Sequence, residues 1–307
     1  ASERQRDFWL GMLAANNRLN PHNYEQDQQF QQLIAVVPFG ISAAKPVHTK
    51  NVLKGVYKTI KADDQIILWG GGIWDWFDPL TLINALAEVV KIRPQAKLFF
   101  LGTQHPHEAG VPRMRMVQRA YELTQRLGLL DTHIFFNDWV SYDERQNYLL
   151  EADVGVSLHL ETIETRYAYR TRILDYIWAG LPILANGGDT LAKLVEEEDL
   201  GRVVPVGDVA ATRDALLELL NLQPNARAAY DPNFERLSAK LTWERVCIPL
   251  LDFCRAPRPA PDHAAKARLA SSNWSHRLGR AQQTLRQKGL LEVVKLGYSY
   301  LKWRVIQ

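Results

Sequence analysis

The sequence predicts a doubly wound α/β domain, in which helices cover both faces of one parallel sheet, followed by a helical C-terminal extension. Three observations predict this fold class. From residue 65 onwards, short apolar runs alternate six times with amphipathic helical stretches, and parallel strands need crossover connections that are usually helical. The 307 residues are 47% hydrophobic and 23% charged, as in globular proteins with a sizeable core. No apolar run approaches the roughly 18 residues that cross a bilayer.

The predicted strands are short and apolar, and a predicted helix follows each of them. The strands are Gln65–Trp69, Lys97–Leu101, His133–Phe136, Val154–Leu158, Pro182–Ala185 and Arg202–Val204. The helices are Pro79–Ile92, Arg113–Leu127, Asp143–Leu150, Thr171–Ala179, Asp189–Glu197 and Asp208–Leu220. Asp78 and Pro79 fit the N-cap and first position of the first helix. In such a sheet ligands bind outside the carboxyl ends of the strands, so the loops that follow the strands are the candidate site.

The first 60 residues differ from this pattern. Ala1–Leu13 opens directly on a helical pattern without an initiator Met, from which we expect a preceding piece of chain. Residues 14–60 are polar except for the extended run Leu33–Phe39, which ends in Pro38 and Gly40. They are interpreted as a linker between two bodies.

The charge is concentrated at the C-terminus. The net charge is +3, but residues 263–307 hold nine Lys or Arg against one acid, Glu292, so the tail is +8 and the rest −5. A protein-wide basic field for nucleic acid is therefore excluded. Lys288, Lys295 and Lys302 recur every seven residues beside an apolar stripe. Such a segment either lies on an anionic membrane surface or packs on another domain; liposome co-sedimentation with and without residues 263–307 distinguishes the two.

The two cysteines, Cys247 and Cys254, lie seven residues apart. This number and spacing favour reduced packing residues over a disulfide framework or a structural zinc site.

A triple glycine follows the first strand. Gly70–Gly72, followed by Trp74 and Asp75, would let a ligand approach the backbone closely, and the helix that begins beyond them favours a phosphate. A tight strand-to-helix turn explains the glycines equally well. The pattern lacks the third glycine of G-x-G-x-x-G, which disfavours an NAD dehydrogenase.

Charged side chains crowd the segment after the fourth strand. Its arginines can neutralise a diphosphate, and an acid inside the following helix, Asp175, can accept hydrogen bonds from ribose hydroxyls. A solvated charged face with internal ion pairs is the alternative. The members are His159, Glu161, Glu164, Arg166, Arg170 and Arg172.

Several short motifs, in order and spacing over about residues 30–220, together resemble the family 4 retaining glycosyltransferases. These enzymes have the GT-B fold, in which two Rossmann-like domains face each other across a cleft. The matching stretches are Val36–Gly40, which corresponds to the interdomain linker, Gly70–Gly72, Leu98–Gly102, Asp138–Val140, Ala152–Val154 and Leu174–Ala185.

The resemblance implies the C-terminal, donor-binding half of such an enzyme, without most of its N-terminal acceptor domain. Residues 1–60 would be a remnant of that domain with the linker, and 61–228 the Rossmann-like nucleotide-sugar domain. Residues 229–262 would be the crossover helix region and 263–307 the basic amphipathic tail.

The family motif E-x7-E holds the ribose and the donor sugar, and here it is altered. Asp175 matches its second, ribose-binding position, whereas Tyr167 stands where the first Glu is expected. The loop is longer than usual, so Glu161 or Glu164 would supply the missing carboxylate, and Glu164 is preferred.

The Arg and Lys that bind the diphosphate in the family are also missing after the first strand. We expect Arg170 or Arg172 to replace their charge, because the leaving diphosphate needs compensation. Base recognition is implied for Asn137–Val140, where Trp139 would cover a pyrimidine ring or pack between strand and helix. The predicted catalytic residues are Glu164 and Arg172, and the predicted donor-binding residues are Gly71, Gly72, Trp74, Asp75, Trp139, Val140, Arg166, Arg170 and Asp175.

The activity implied is transfer of a sugar, with retention, from a nucleotide sugar to a glycan or lipid-linked acceptor in polysaccharide biosynthesis. The family favours a UDP-sugar, UDP-glucose above others, with no cofactor. The lack of a bilayer-crossing run and of a signal-peptide pattern favours a cytoplasmic chain, and the basic tail favours a peripheral position at the inner membrane face. His105, His107 and Glu108 invite a metal site, but GT-B enzymes need no bound metal for donor activation. A non-catalytic nucleotide-sugar-binding module and a GT-B-like epimerase are the alternatives.

Overall fold

The computed structural model describes residues 2–104, 114–222, 230–263, 279 and 281–305. The chain divides into two compact units. The first combines Ala1–Gln5 with Val36–Asp252, and the second combines Arg6–Ala35 with Phe253–Gln307. The first unit contains the sheet.

Six strands and the helices between them agree closely with the predicted elements. The strands are β1 (Gln65–Trp69), β2 (Ala96–Phe100), β3 (Ile134–Phe136), β4 (Val154–Ser157), β5 (Ile183–Asn186) and β6 (Gly201–Val204). The α-helices are α1 (Glu3–Ala15), α2 (Pro21–Gln26), α3 (Pro79–Ile92), α4 (Arg115–Arg126), α5 (Arg145–Glu151), α6 (Ile163–Tyr167), α7 (Thr171–Ala179), α8 (Thr190–Glu197), α9 (Val209–Leu220), α10 (Asp231–Lys240), α11 (Trp243–Val246), α12 (Ile248–Arg255) and α13 (Leu290–Val305).

The strands form one parallel sheet in the order β3-β2-β1-β4-β5-β6. The chain therefore winds outward from β1 in one direction and from β4 in the other. Ile67 of β1 lies opposite Leu98 of β2 on one side and Val154 of β4 on the other. The point where the strand order reverses is the place where doubly wound sheets bind ligands, and it lies between β1 and β4.

Strand β1 shows how the sheet is buried on both faces. Its side chains alternate, as the two-residue period of a strand requires. Ile67 and Trp69 join the core under α3, α4 and α9, whereas Ile66 and Leu68 join the core under α5, α7, α8 and α10. All four are fully buried, and burial of each such side chain stabilises the fold by about 1.5–3 kcal/mol.

The predicted elements are confirmed with small shifts at their ends. β1, α3 and α7 have the predicted bounds, and Asp78 caps α3 by accepting from the Thr81 N–H at 3.0 Å. The short helix α6 was not predicted. The run Leu33–Phe39 is not a strand: residues 31–33 form a turn and residues 35–40 have no regular structure.

The segment before β1 belongs with the sheet from Val36 onwards, whereas the sequence predicts a boundary at residue 60. Leu53 and Ile60 are buried in the core that contains α7. The Glu151 carboxylate at the end of α5 accepts from three successive backbone N–H groups, those of Val52, Leu53 and Lys54, at 2.8–2.9 Å. These long-range bonds fix a polar segment that has no periodicity of its own.

The second unit includes the described part of the basic tail. Residues 281–288 and α13 are helical, and the described side chains Leu290, Leu291, Val294 and Tyr298 are exposed. The side chain of Lys302 lies outside what the structure describes. Within the described ranges, no helix combines the length and the hydropathy that a bilayer crossing needs.

A glycine in β4 makes room for a buried tyrosine behind the sheet. A Cβ atom at Gly155 would lie 2.7 Å from Cγ of Tyr176. We expect Gly155→Ala to lower the free energy of unfolding by about 1–3 kcal/mol, because the ring cannot move in a filled core. Gly187→Ala is the matched control, since its Cβ would meet only ordinary contact at 3.8 Å. Urea unfolding of both variants measures the difference, and equal stabilities would contradict this packing.

Candidate functional site

A cavity of about 200 Å³ opens at the carboxyl ends of the central strands. It is formed by the turn after β1, the residue after β2, the loop after β3, and residues of α5 and α7. Its lining residues are Gly70, Gly71, Leu101, Trp139, Val140, Tyr142, Arg145, Leu149 and Asp175. Four residues predicted to bind the donor, Gly71, Trp139, Val140 and Asp175, are thus brought together from segments more than 30 residues apart.

Tyr176 fixes the start of the glycine turn from behind. The Gly70 N–H donates to the Tyr176 hydroxyl at 2.8 Å, and that hydroxyl donates to the Val156 carbonyl at 2.9 Å. A Cβ at Gly70 would lie 2.9 Å from the tyrosine ring, and Gly71 has a φ of 125°, which favours glycine. Burial raises the pKa of Tyr176 to about 12, so the hydroxyl stays protonated. The turn therefore presents backbone to the cavity.

Arg172 joins the two motifs that the sequence singles out. Its Nη2 donates to the Gly72 carbonyl at 2.9 Å, and its guanidinium carbon lies 4.4 Å from the Phe77 ring centroid and 4.9 Å from that of Trp69. Nη1 is buried and has no hydrogen-bond partner among the described residues. Burial lowers the pKa of Arg172 to about 10, which leaves it charged at neutral pH. Neither Arg172 nor Gly72 lines the cavity, so the charge of Arg172 would act on an anionic ligand from beside the glycine turn.

Asp175, one turn into α7, pairs with an arginine that the sequence analysis missed. Arg145 Nε lies 3.1 Å from Asp175 Oδ1. Burial raises the pKa of Asp175, and the nearby Arg145 acts in the opposite direction. Asp175 also lines a second, adjoining cavity of about 490 Å³.

The loop after β3 is held at its first residue, Asn137, by two hydrogen bonds. Asn137 Nδ2 donates to the Leu101 carbonyl, and Thr103 Oγ1 donates to the Asn137 carbonyl, both at 3.0 Å. Trp139 remains 46% exposed and lies over Gly102, where a Cβ would be 3.4 Å from its ring. This exposure distinguishes Trp139 from a core aromatic residue.

Arg170 is buried and bonded within the protein. Its Nε lies 2.5 Å from Asp189 Oδ2, and its Nη1 donates to the Ser157 carbonyl and to Asn186 Oδ1 at 2.8 and 2.9 Å. Burial lowers its pKa to about 10, while Asp189 opposes that shift. Nη2 of Arg170 is buried and has no hydrogen-bond partner among the described residues. The other contacts fix the loop between β4 and α7 and give Arg170 a structural role.

His159 is a neutral, buried residue at the end of β4. Its ring centroid lies 4.3 Å from that of Phe77, and its backbone is bonded on both sides to the amide of Asn186. Burial, together with Arg170 and Arg172, lowers its pKa to about 2. His159 therefore carries no charge at physiological pH.

The residues after the triple glycine have packing roles. Asp75 caps α4 by accepting from the Met116 N–H at 2.8 Å, and the Trp74 and Trp76 rings stack with centroids 5.3 Å apart. At the start of α3, the Thr81 N–H is bonded to Asp78, and phosphate binding at that helix stays a prediction. Neither Trp74 nor Asp75 lines the cavity.

Glu161, Glu164 and Arg166 are exposed in the loop between β4 and α7. Thr162 caps α6 through the Thr165 N–H. None of the three charged residues lines the cavity, so their roles in donor binding stay predictions.

The described residues contain no group of three His, Cys, Asp or Glu that could hold a metal ion. His105, His107 and Glu108 lie outside the described residues.

Tyr142 and Arg145 are the functional candidates that sequence reasoning did not single out. Both lie where a helix begins after a strand-end loop. They are three residues apart, a spacing that brings side chains together on a helix. That spacing was the available signal, but their meeting with Asp175 requires the fold.

The family model "Glycosyl transferases group 1" matches residues 64–222. A search of curated proteins finds no significant match.

Solved structures share the fold at low sequence identity. Sucrose-phosphate synthase from Thermosynechococcus elongatus is 21% identical with a TM-score of 0.54, covering 75% of this chain and 56% of its own. Anabaena Alr3699/HepE, in complex with UDP and glucose, is 17% identical with a TM-score of 0.52, covering 64% and 49%. The C-terminal domain of LpcC, a group 1 family protein from Francisella tularensis, is 15% identical with a TM-score of 0.51, covering 66% and 100%. The chain thus spans about half the length of the first two proteins, and all of the isolated C-terminal domain aligns with it.

Proposed function

The chain belongs to the group 1 glycosyltransferase family, and on that premise we propose that it binds a nucleotide sugar and transfers the sugar to a glycan or lipid-linked acceptor. The observation that carries the proposal is that a glycine turn, an exposed tryptophan and a carboxylate line the same cavity. Their chemistry suits the diphosphate, the base and the ribose of one ligand.

The ligand would lie across the carboxyl ends of β1, β2 and β3. The backbone at Gly71 allows a diphosphate to approach, and the buried Arg172 beside it supplies positive charge without lining the cavity itself. Asp175 would accept from ribose hydroxyls, and Trp139 with the Val140 backbone would contact the base. UDP is the nucleotide we expect. The binding of UDP by Alr3699/HepE supports this choice.

The chemical role of these residues is to hold the donor and stabilise its leaving group. As the bond from the sugar to the diphosphate breaks, negative charge develops on the diphosphate oxygen, and a fixed guanidinium nearby lowers the energy of that state. We propose retention at the anomeric carbon, with the leaving diphosphate oxygen taking the acceptor proton on the same face. Glu164 remains the proposed carboxylate for the donor sugar, and residues 263–307 the proposed membrane-surface segment.

Product analysis distinguishes this proposal from its rivals. The chain is incubated with UDP-glucose and candidate glycan or lipid-linked acceptors, and sugars and nucleotides are separated by chromatography. We expect acceptor-dependent release of UDP with a glycosylated product. A changed sugar in intact donor would indicate an epimerase, and binding without turnover would indicate a binding module; either result contradicts glycosyl transfer by this chain.

A further inference from the structure

We propose that Arg145 is a positioning residue for nucleotide recognition: it holds the Asp175 carboxylate toward the ribose hydroxyls of the donor. This inference rests on the proposed function, because it assigns a role in binding the same ligand. Arg145 is not in any motif that the sequence analysis identified.

Arg145 is itself held on several sides. Its Nη1 donates to the Tyr142 carbonyl and its Nη2 to the Tyr142 hydroxyl, both at 2.9 Å. Its guanidinium carbon lies 3.5 Å from the Tyr142 ring centroid and 4.8 Å from that of Trp178. A planar cation stacked and bonded in this way has little rotational freedom left to lose.

The same guanidinium then directs one N–H at Asp175. Nε donates to Oδ1 at 3.1 Å, and the side chains of Arg145 and Asp175 are 17% and 35% exposed. A freely exposed ion pair would do little to hold a side chain in one position. This pair is half-buried, and its cation is fixed by the contacts with Tyr142 and Trp178. Oδ2 accepts no hydrogen bond from the described residues, and Asp175 lines the cavity.

Arg145 also favours the charged form of the Asp175 carboxylate. Burial raises the pKa of Asp175, while Arg145 and, from its own helix, Arg172 lower it. The other titratable groups that face Asp175 are Tyr176, on the same helix, and Tyr142 and Asp143, which line the adjoining cavity with it. Removal of Arg145 therefore raises the pKa of Asp175, so the carboxylate becomes protonated at a higher pH. A protonated carboxyl is a poorer acceptor for ribose hydroxyls.

The test compares UDP with 2′,3′-dideoxy-UDP by calorimetry on the full chain. For the unaltered chain we expect UDP to bind roughly 10-fold more tightly, as hydrogen bonds to a charged group allow. For Arg145→Met we expect this ratio to approach one. We also expect its UDP affinity to begin to fall at a higher pH than in the unaltered chain when the pH is lowered from about 8 to about 4, because loss of Arg145 raises the pKa of Asp175 further above the ordinary carboxyl value of about 3.9. Arg145→Lys should be intermediate. Asp175→Asn should abolish the ratio whether or not Arg145 is present.

Arg202→Met is the matched control, because Arg202 pairs with Glu218 at β6 and α9, away from the cavity. Should Arg145→Met not fold, Tyr142→Phe removes only the hydroxyl acceptor of Nη2 and should still lower the ratio. A ratio in Arg145→Met equal to that of Arg202→Met, or equal binding of the two ligands by the unaltered chain, overturns the positioning role alone. Failure of the unaltered chain to bind UDP, GDP or ADP overturns the proposed function with it.

Discussion

Arg172→Ala is expected to reduce turnover of the nucleotide sugar roughly 100-fold or more, the loss typical when one fixed stabiliser of developing negative charge is removed. Arg172 is the charged group beside the glycine turn, and its Nη1 has no partner among the described residues. Truncation removes both the charge and the bond that holds the Gly72 carbonyl. Steady-state kinetics with UDP-glucose, alongside calorimetric affinity for UDP, measure the effect.

Two variants separate charge from general damage. Arg172→Lys keeps the charge but not the planar contacts with Phe77 and Trp69, so it should recover part of the activity. Arg236→Ala removes an exposed arginine that pairs with Glu198 and should leave turnover unchanged. Unaltered UDP affinity and turnover in a folded Arg172→Ala chain would contradict the role assigned to Arg172.

Arg170→Met is expected to lower the free energy of unfolding by about 3–5 kcal/mol, because it leaves Asp189 buried without its cation. Arg170 and Asp189 side chains are fully buried, and Arg170 also bonds Ser157 and Asn186. The double variant Arg170→Met/Asp189→Asn should recover part of the loss, since no uncompensated charge remains. Urea unfolding gives these values.

The same variants decide between two roles for Arg170. If the residue is structural, the folded Arg170→Met chain binds UDP within about threefold of the unaltered chain, less than the 1.4 kcal/mol that a tenfold change represents. Unchanged stability together with a collapse of UDP affinity would instead support the ligand role that the sequence predicts.

Most of the sheet could be predicted because local signals were strong. β1 is a continuous apolar run, and Asp78 with Pro79 marks the start of α3. The strand-end loops that were singled out supply much of the cavity lining, and Gly71 and Asp175 meet there. Parallel topology alone brings such loops to one edge.

The roles of neighbouring charges could not be predicted in the same way. Arg170 is the residue before α7 and has non-helical backbone angles, whereas Arg172 is the second residue of the helix. The two side chains therefore leave the chain in different directions although they are only two residues apart. One meets Asp189 and the other Gly72. Asp75 became a helix cap and Arg145 a partner of Asp175 through tertiary contacts that no local pattern encodes.

The most direct test of nucleotide-sugar binding is a calorimetric titration of the full chain with UDP, GDP and ADP, repeated with Asp175→Asn. We expect saturable binding of one nucleoside diphosphate, UDP, at a single site, weakened by the substitution and competed by UDP-glucose. Heat-silent titrations with all three nucleotides, or binding indifferent to Asp175, would contradict a donor site at the carboxyl edge of this sheet.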